Sequence, residues 1–477
     1  MNKLPRKIFS LALLFGGLLA LPAGAAEQPN ILFIAIDDMN DWTGFLGGHP
    51  QAITPNLDAV ARKGVNFTNA HCPAPGCSPS RNALLYGVEP FNSGLYAFYD
   101  KPEIHERLRE TYTSLPAFLK ANGYGTYGAG KIHHGPRGAE VEWSDYHKPA
   151  HHALKLDIDA GYQQGGKRKM SFCPTTNPFE EHPDHKVASY GIDVLGKEHD
   201  KPFFLAVGIV RPHLPFICPE EFFDLYPDPV EAPRMKEDDL DDIPWVGRSM
   251  AKRGDDNRFR QDKAWDKVRR AYLACISWAD YNIGRVLDAL EESDYADNTI
   301  VVIWSDHGYA MGEKHHFRKF ALWEETTRVP FIIWDTRDKK ATEGRTVTDG
   351  VSLINIYKTL AEMTGIEAPE YLDGYSLVPH LKDPNIPLPE PAICSWGRGN
   401  YTVRDEKFRY TRYFDGGEEL YYHSQDPDEW TNLADNPEYA AEKARLAAYL
   451  PQDEAPLVKE FVAEWSIPSS ADKPKKK

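Results

Sequence analysis

Positive charge is in short supply in this chain: 55 lysines and arginines face 71 aspartates and glutamates over 477 residues, a formal net charge of −16. A surface of that sign repels phosphate backbones and anionic headgroups, which excludes nucleic acid as a partner and argues against loose adhesion to membranes. Long apolar runs are also missing. Beyond the first thirty residues nothing approaches the ~20 apolar residues a membrane-spanning helix requires, so no membrane span is expected. Cysteine is scarce: Cys72, Cys77, Cys173, Cys218, Cys275 and Cys394 are scattered along the chain, which excludes the dense disulfide framework of a small secreted domain. There is no internal repeat. A small anionic ligand stays compatible with the charge if basic side chains gather in one cleft.

The N-terminus carries what the rest lacks. In MNKLPRKIFSLALLFGGLLALPAGAAEQPN, Lys3, Arg6 and Lys7 precede an apolar stretch that ends in the small residues Ala23, Gly24 and Ala25. That is the order of a secretory signal peptide. Residues 1–25 are set aside on this ground, and the remainder is expected to be exported to the periplasm or secreted. No cysteine at the cleavage point invites a lipid anchor.

Four apolar runs have strand length: ILFIAI (31–36), PFFLAVGIV (202–210), TIVVIWS (299–305) and VPFIIW (329–334). Unbroken apolar strands are buried on both faces, as in a parallel sheet covered by helices. Helical signals lie between them. Thr54-Pro55 opens one helix that Gly64 closes, and Ser114 opens SLPAFLKANG. In residues 271–293, Tyr272, Ile276, Ala279, Ile283, Val286 and Leu290 keep helical spacing on one face. The expected fold class is α/β, a large mixed, mostly parallel sheet sandwiched by helices over residues 26–385. After the linker PNIPLPEP the texture changes, and Asp415-Gly416-Gly417 between aromatic runs predicts a hairpin. A smaller α+β subdomain with an antiparallel sheet is expected at 386–466, then a disordered basic tail at 467–477.

Chemistry-bearing residues cluster where strands stop. Asp37 and Asp38 directly follow ILFIAI, and Asp306 and His307 directly follow TIVVIWS. Ligands in open α/β sheets gather outside these carboxyl ends, and adjacent carboxylates call for a hard divalent cation between them. A turn or cap is the alternative for the first pair. His307 either ligates such a cation or hydrogen-bonds one of its ligands. GAGKIHHG places Lys131, His133 and His134 in a glycine-flanked loop, and RPHLPF places His213 between prolines after another strand. Lys314, His315, His316, Arg318 and Lys319 form a basic patch expected to bind an anion. In GCSPSRNALLYG, Cys77 sits at the start of a helix with Arg81 in its first turns, an environment that lowers a thiol pKa. Cys72 and Cys77 have no second cysteine pair at zinc-finger spacing.

Taken together, these segments resemble the type I sulfatases of the alkaline phosphatase superfamily. CSPSRNALLYG matches the family's C-x-P-S-R followed by L-x-x-G; NILFIAIDD, GAGKIHHG, RPHLPF, SDHGYAMGE with its following lysine, and DPDEWTNLA follow in the family's order. SDHG and RPHLPF are most similar to the iduronate-2-sulfatase branch. The resemblance implies an alkaline phosphatase-like fold. It also implies that Cys77 is converted to Cα-formylglycine by a formylglycine-generating or anaerobic maturation enzyme, and that its hydrate is the nucleophile. Asp37, Asp38, Asp306 and His307, with the modified Cys77, would hold one Ca2+. Arg81 would hold the hydrate, Lys131 and Lys319 the sulfate, and His213 with Lys319 would assist the leaving alcohol. His133 or His134 would collapse the sulfated intermediate, and the branch spacing favours His134. Tyr86 stands where a threonine is common. The implied substrate is a sulfated, uronate-containing carbohydrate. Alternatives are a phosphonate or phosphate esterase of the same superfamily, or an inactive glycan-binding homologue.

Overall fold

The structure, a computed structural model, describes residues 28–99, 103–134, 141–148, 162–163, 170–251 and 253–458. The expected signal peptide and basic tail lie outside them. Eight strands assemble one sheet: β1 (Asn30–Asp37), β2 (Val65–Phe67), β3 (Gly125–Gly130), β4 (Asp145–His147), β5 (Phe203–Pro212), β6 (Thr299–Ser305), β7 (Phe331–Asp335) and β8 (Arg345–Val347), in the order β8-β2-β7-β6-β1-β5-β3-β4. ILFIAI holds the middle because both of its faces are apolar. Ile31, Phe33 and Ala35 enter one core and Leu32, Ile34 and Ile36 the other, all of them buried. Each large aliphatic or aromatic side chain placed in this way contributes roughly 1.5–3 kcal/mol relative to exposure.

Helices cover both faces. In chain order they are α1 (Pro55–Lys63), α2 (Cys77–Tyr86), α3 (Leu115–Ala121), α4 (Pro183–Leu195), α5 (Trp265–Glu291) and α6 (Asn355–Thr364). Residues of α2, α3 and α6 pack with the first core, and residues of α1, α4 and α5 with the second. The mixed, mostly parallel sandwich expected from the sequence is therefore present. Three local expectations need correction. VPFIIW forms β7, which runs antiparallel to both β6 and β2; a continuous apolar run carries no information about direction. α5 begins at Trp265, ahead of the predicted 271, because DKVRR is polar yet still helical. The Thr54 hydroxyl makes no cap to α1; it donates to Asp58 Oδ1 at 3.0 Å instead.

The sheet is irregular where β1 ends. β1 and β5 run in parallel register from Ile31 opposite Phe204 to Ile36 opposite Ile209, then slip so that Asp37 lies opposite Pro212. Bulges of this kind re-aim side chains at strand ends.

The C-terminal part forms a four-stranded antiparallel sheet from β9 (Ala392–Ser395), β10 (Tyr401–Arg404), β11 (Phe408–Arg412) and β12 (Glu418–Tyr422), with the predicted hairpin at Asp415–Gly417. Buried charge fastens it to the large domain. Arg409 donates to Glu429 Oε1 at 2.5 Å and pairs also with Glu324, while His423 Nε2 lies 2.9 Å from the same Glu429 oxygen. Burial alone would raise Glu429, but Arg409 and His423 bring it down to about 2. A carboxylate depressed below its ordinary 4.5 contributes stability at neutral pH that disappears as pH falls from about 4.5 through about 2. In an acid titration followed by near-ultraviolet circular dichroism, the wild type should lose tertiary signal in that window. Glu429→Gln should be less stable already at pH 7, by about 3–5 kcal/mol as for other broken buried pairs; equal stability at pH 7 would contradict this role.

Candidate active site

Four neighbouring parallel strands, β6, β1, β5 and β3, deliver their C-terminal ends to one place. Asp306 and His307 come from β6, Asp37 and Asp38 from β1, His213 from β5, and Lys131 to His134 from β3. The β3 turn depends on glycine. Gly130 has φ +75°, and a Cβ there would lie 2.0 Å from Gly208 O.

α2 brings in Cys77 at its first residue, after Gly76 in extended conformation. The Cys77 sulfur lies 2.9 Å from Lys319 Nζ, 3.2 Å from His307 Nε2 and 3.8 Å from Asp38 Oδ1. Its thiol is nonetheless pushed up rather than down, because burial outweighs the nearby lysines. That direction is opposite to the one expected from the helix start and the nearby arginine.

Cations and carboxylates interleave around it. Lys319 Nζ donates to Asp38 Oδ1 at 2.6 Å, and Lys131 pairs with Asp37. Burial pushes Asp37 up, but Lys131, His213 and Arg81 hold it well below the ordinary range. Burial likewise opposes the charge on Lys319, and Asp38 holds its ammonium well above the usual value. Arg81 is fully buried and committed: its Nε donates to Asp306 Oδ2 at 2.7 Å, and Nη1 to the carbonyls of Lys131 at 2.5 Å and Ile132 at 3.0 Å. It ties α2 to the β3 and β6 ends.

His307 decides what the carboxylates can hold. Its Nδ1 lies 2.9 Å from Gly308 O, a contact that assigns the proton to Nδ1 and leaves a lone pair on Nε2. That nitrogen faces Asp38 Oδ1 at 3.3 Å and Asp306 Oδ1 at 3.6 Å. Asp38 Oδ1 accepts from Lys319 Nζ and Asp306 Oδ1 from Asp38 N at 3.1 Å, which leaves the buried Asp37 Oδ1, 3.5 Å from Arg81 Nη2, as the carboxylate oxygen without a hydrogen bond. Ligand atoms of Asp37, Asp38, Cys77 and His307 all lie within 4.8 Å of one another, a set that could hold a divalent ion and in which two of the four donors are carboxylates. Asp306, expected as a ligand, is not among the four, and its oxygens accept from Arg81 Nε and Asp38 N.

The two histidines of the β3 loop separate cleanly. His133 Nε2 lies 3.3 Å from Glu142 Oε2, and Glu142 accepts from Ser114 Oγ at 2.6 Å. Opposed by burial, His133 and Ser114 bring Glu142 down to about 2. His134 sits edge-on to Phe98 and feels Lys131, Asp37, Lys319 and Arg81. His213, at the mouth, places Nε2 3.8 Å from Asp38 Oδ2 and is pulled down to about 4 by burial.

The predicted basic patch does not act as a unit. Lys314 pairs with Asp239 at 2.9 Å, Arg318 with Asp255 at 2.6 Å, and His315 lies against Glu237 O and Asp256. Lys319 alone of the patch reaches the site. Arg318 and Phe320 on either side of it have φ of +93° and +83°, conformations that persist at functional sites only where the surroundings enforce them. The sequence did not single out three supports. Tyr272 donates to Asp38 O at 2.6 Å and accepts from Asn40 N at 3.0 Å, bracing Asp38 at φ +65°. Met39 N donates to Ser305 Oγ at 3.0 Å, and Ser80 Oγ donates to Asp306 O at 2.5 Å. Ser80 and Ser305 stood inside quoted motifs, CSPSRNALLYG and SDHGYAMGE, whereas Tyr272 and Met39 did not.

The sulfatase family profile matches residues 29–366. The chain is 37% identical to a sulfatase of Formosa agariphila, over 90% of this chain and 87% of that one. The chain belongs to the sulfatase family. It is an enzyme of the sulfuric ester hydrolase class. It is also 27% identical to iduronate 2-sulfatase of Homo sapiens, over 80% of this chain and 84% of that one. Among solved structures, the phosphonate monoester hydrolase of Agrobacterium radiobacter superposes with a TM-score of 0.71 at 23% identity, covering 88% of this chain and 94% of that one. That likeness shows the shared fold.

Tyr272 gives this sulfatase a test of its cation pocket away from the ligands. Tyr272→Phe should weaken divalent-cation binding, measured by titration calorimetry, by about 10–100-fold, as for other outer supports of a metal site. Unchanged affinity would contradict the bracing of Asp38.

Proposed function

We propose that this sulfatase hydrolyses O-sulfate esters of a carbohydrate, of the uronate-containing kind, after export directed by residues 1–25. The observation that carries the reading is the surround of Cys77: acceptors arranged for a cation on one side, Lys131 and Lys319 on the other, and a buried thiol unsuited to act as such. The name of the human relative, iduronate 2-sulfatase, supports the substrate class. The cation is calcium, held by Asp37, Asp38, Asp306 and His307, and it supplies positive charge beside the nucleophile. Cys77 reaches its working form through a formylglycine-generating or anaerobic maturation enzyme. As the hydrated aldehyde it supplies two hydroxyls, one to attack sulfur and one to restore the aldehyde, which a serine could not do.

The other roles follow from charge and position. Lys131 and Lys319 grip the sulfate oxygens, stabilising charge in a site closed to water. Lys319 keeps its proton under the field of Asp38, while His213 is neutral at pH 7. The proton for the leaving alcohol therefore comes from Lys319, with His213 receiving and orienting the alcohol at the mouth. Arg81 acts through Asp306 and the Lys131 backbone, and holds the nucleophile helix in place. His134 serves as the base that helps release sulfate. His133 fixes the loop through Glu142.

Two measurements test this. His134→Ala should lower kcat on an aryl sulfate by at least the ~10²-fold expected for a lost general base, while His133→Ala should chiefly lower thermal stability; the opposite pattern would overturn the assignment. Chelation should abolish turnover of a sulfated uronate disaccharide and calcium should restore it. Faster hydrolysis of an aryl phosphodiester than of the matching sulfate would favour the phosphonate or phosphate esterase alternative instead.

A further inference from the structure

Cys72 and Cys394 are separated by 322 positions in sequence, yet their sulfur atoms lie 4.0 Å apart. Cys72 directly follows the two-residue strand Ala70–His71, and Cys394 belongs to β9. Neither is more than 1% exposed. Backbone bonds set this approach: Ser395 N donates to Pro73 O at 2.9 Å, and Cys72 N to Thr327 O at 2.9 Å. Neither sulfur belongs to the cluster around the cation pocket, which takes only Cys77.

We propose that Cys72 and Cys394 form a disulfide that staples the segment entering the nucleophile helix to the C-terminal subdomain. It rests on the export proposed above only for its oxidising surroundings. Closing the bond brings the sulfurs about 2 Å nearer, to the ~2.05 Å of a disulfide. Each thiol gives up its hydrogen, one S–S bond forms, and the two electrons and two protons pass to a donor disulfide, whose own S–S bond breaks to give two thiols. Both sulfurs are closed to solvent in the folded chain, so the exchange belongs to folding. The place is mechanically apt. Between Cys72 and Cys77, Pro75 O accepts from Phe320 N at 3.0 Å, and a Cβ on Gly76 would meet Phe98 at 2.8 Å and Trp396 at 3.0 Å. The staple holds this tight segment against β9.

Tryptic digestion places Cys72 and Cys77 together in peptide 64–81 and Cys394 in peptide 383–398. The full chain is unfolded, refolded with glutathione disulfide and glutathione, alkylated and digested. The expected product is one linked species, lighter by two hydrogens than the two peptides summed and separated by reductant. The oxidised protein should melt a few degrees above the reduced one, on the order expected for closing so long a loop, and Cys394→Ala should erase that difference. Alkylation of both Cys72 and Cys394 would overturn the proposal. So would a bond within peptide 64–81 joining Cys72 to Cys77 while 383–398 is alkylated. Fractionation of cells separates this from export: a linked pair formed in vitro by a chain retained in the cytoplasm supports the staple and refutes export, whereas reduced Cys72 and Cys394 in the exported protein refute the staple.

Discussion

Asp37, Asp38 and Asp306 lie fully buried at the ends of two adjacent strands, and the placement of nearly every other polar group nearby follows from their repulsion. Two like charges 4 Å apart cost about 4 kcal/mol at the effective dielectric of a protein. Lys131, Lys319 and Arg81 match those three charges one for one, each paired with a different aspartate. His307 adds no charge of its own, because the nitrogen it turns toward them is an acceptor. The site is balanced in formal charge yet keeps a cluster of donor atoms on Asp37, Asp38, Cys77 and His307 that could hold a metal ion. The apolar strands that bury the aspartates also give the pocket its low dielectric and its strength.

Rigidity comes from behind. Tyr272 and Ser305 fix the turn through Asp38, while the strained backbone on either side of Lys319 is held by Asp255 and by the stack of Phe320 on Trp396. Trp396 belongs to the C-terminal part, as does Arg409, which clasps Glu324 just beyond Lys319. The small subdomain is thus part of the active-site scaffold. Glu429 stands within this scaffold, accepting from Arg409 Nε and from Glu324 N.

Much of this was legible in the sequence because charge stops apolar runs abruptly. ILFIAI followed by two aspartates, and TIVVIWS followed by Asp306 and His307, marked strand ends and a site at once. Cys77 was legible through its motif, and the sulfatase resemblance held across most of the chain. What was not legible involved partners far apart in sequence. The basic residues 314–318 read as an anion platform because their acidic partners, Asp239, Asp255 and Asp256, come from another segment. Burial of the Cys77 thiol likewise depends on the whole fold, so a helix start beside an arginine suggested an activated thiol where the structure has a suppressed one. Tyr272 lay on a correctly predicted helix face, but nothing local showed that its hydroxyl would reach the turn after β1.

Catalysis on these terms requires Cys77 to be the precursor of an aldehyde. The decisive measurement is the intact mass of peptide 64–81 from a catalytically active preparation. Conversion predicts the loss of one sulfur and two hydrogens against the gain of one oxygen at Cys77, together with reactivity toward a hydrazide. A peptide in which Cys77 is still cysteine throughout, from enzyme that turns over sulfate esters at full rate, would contradict it.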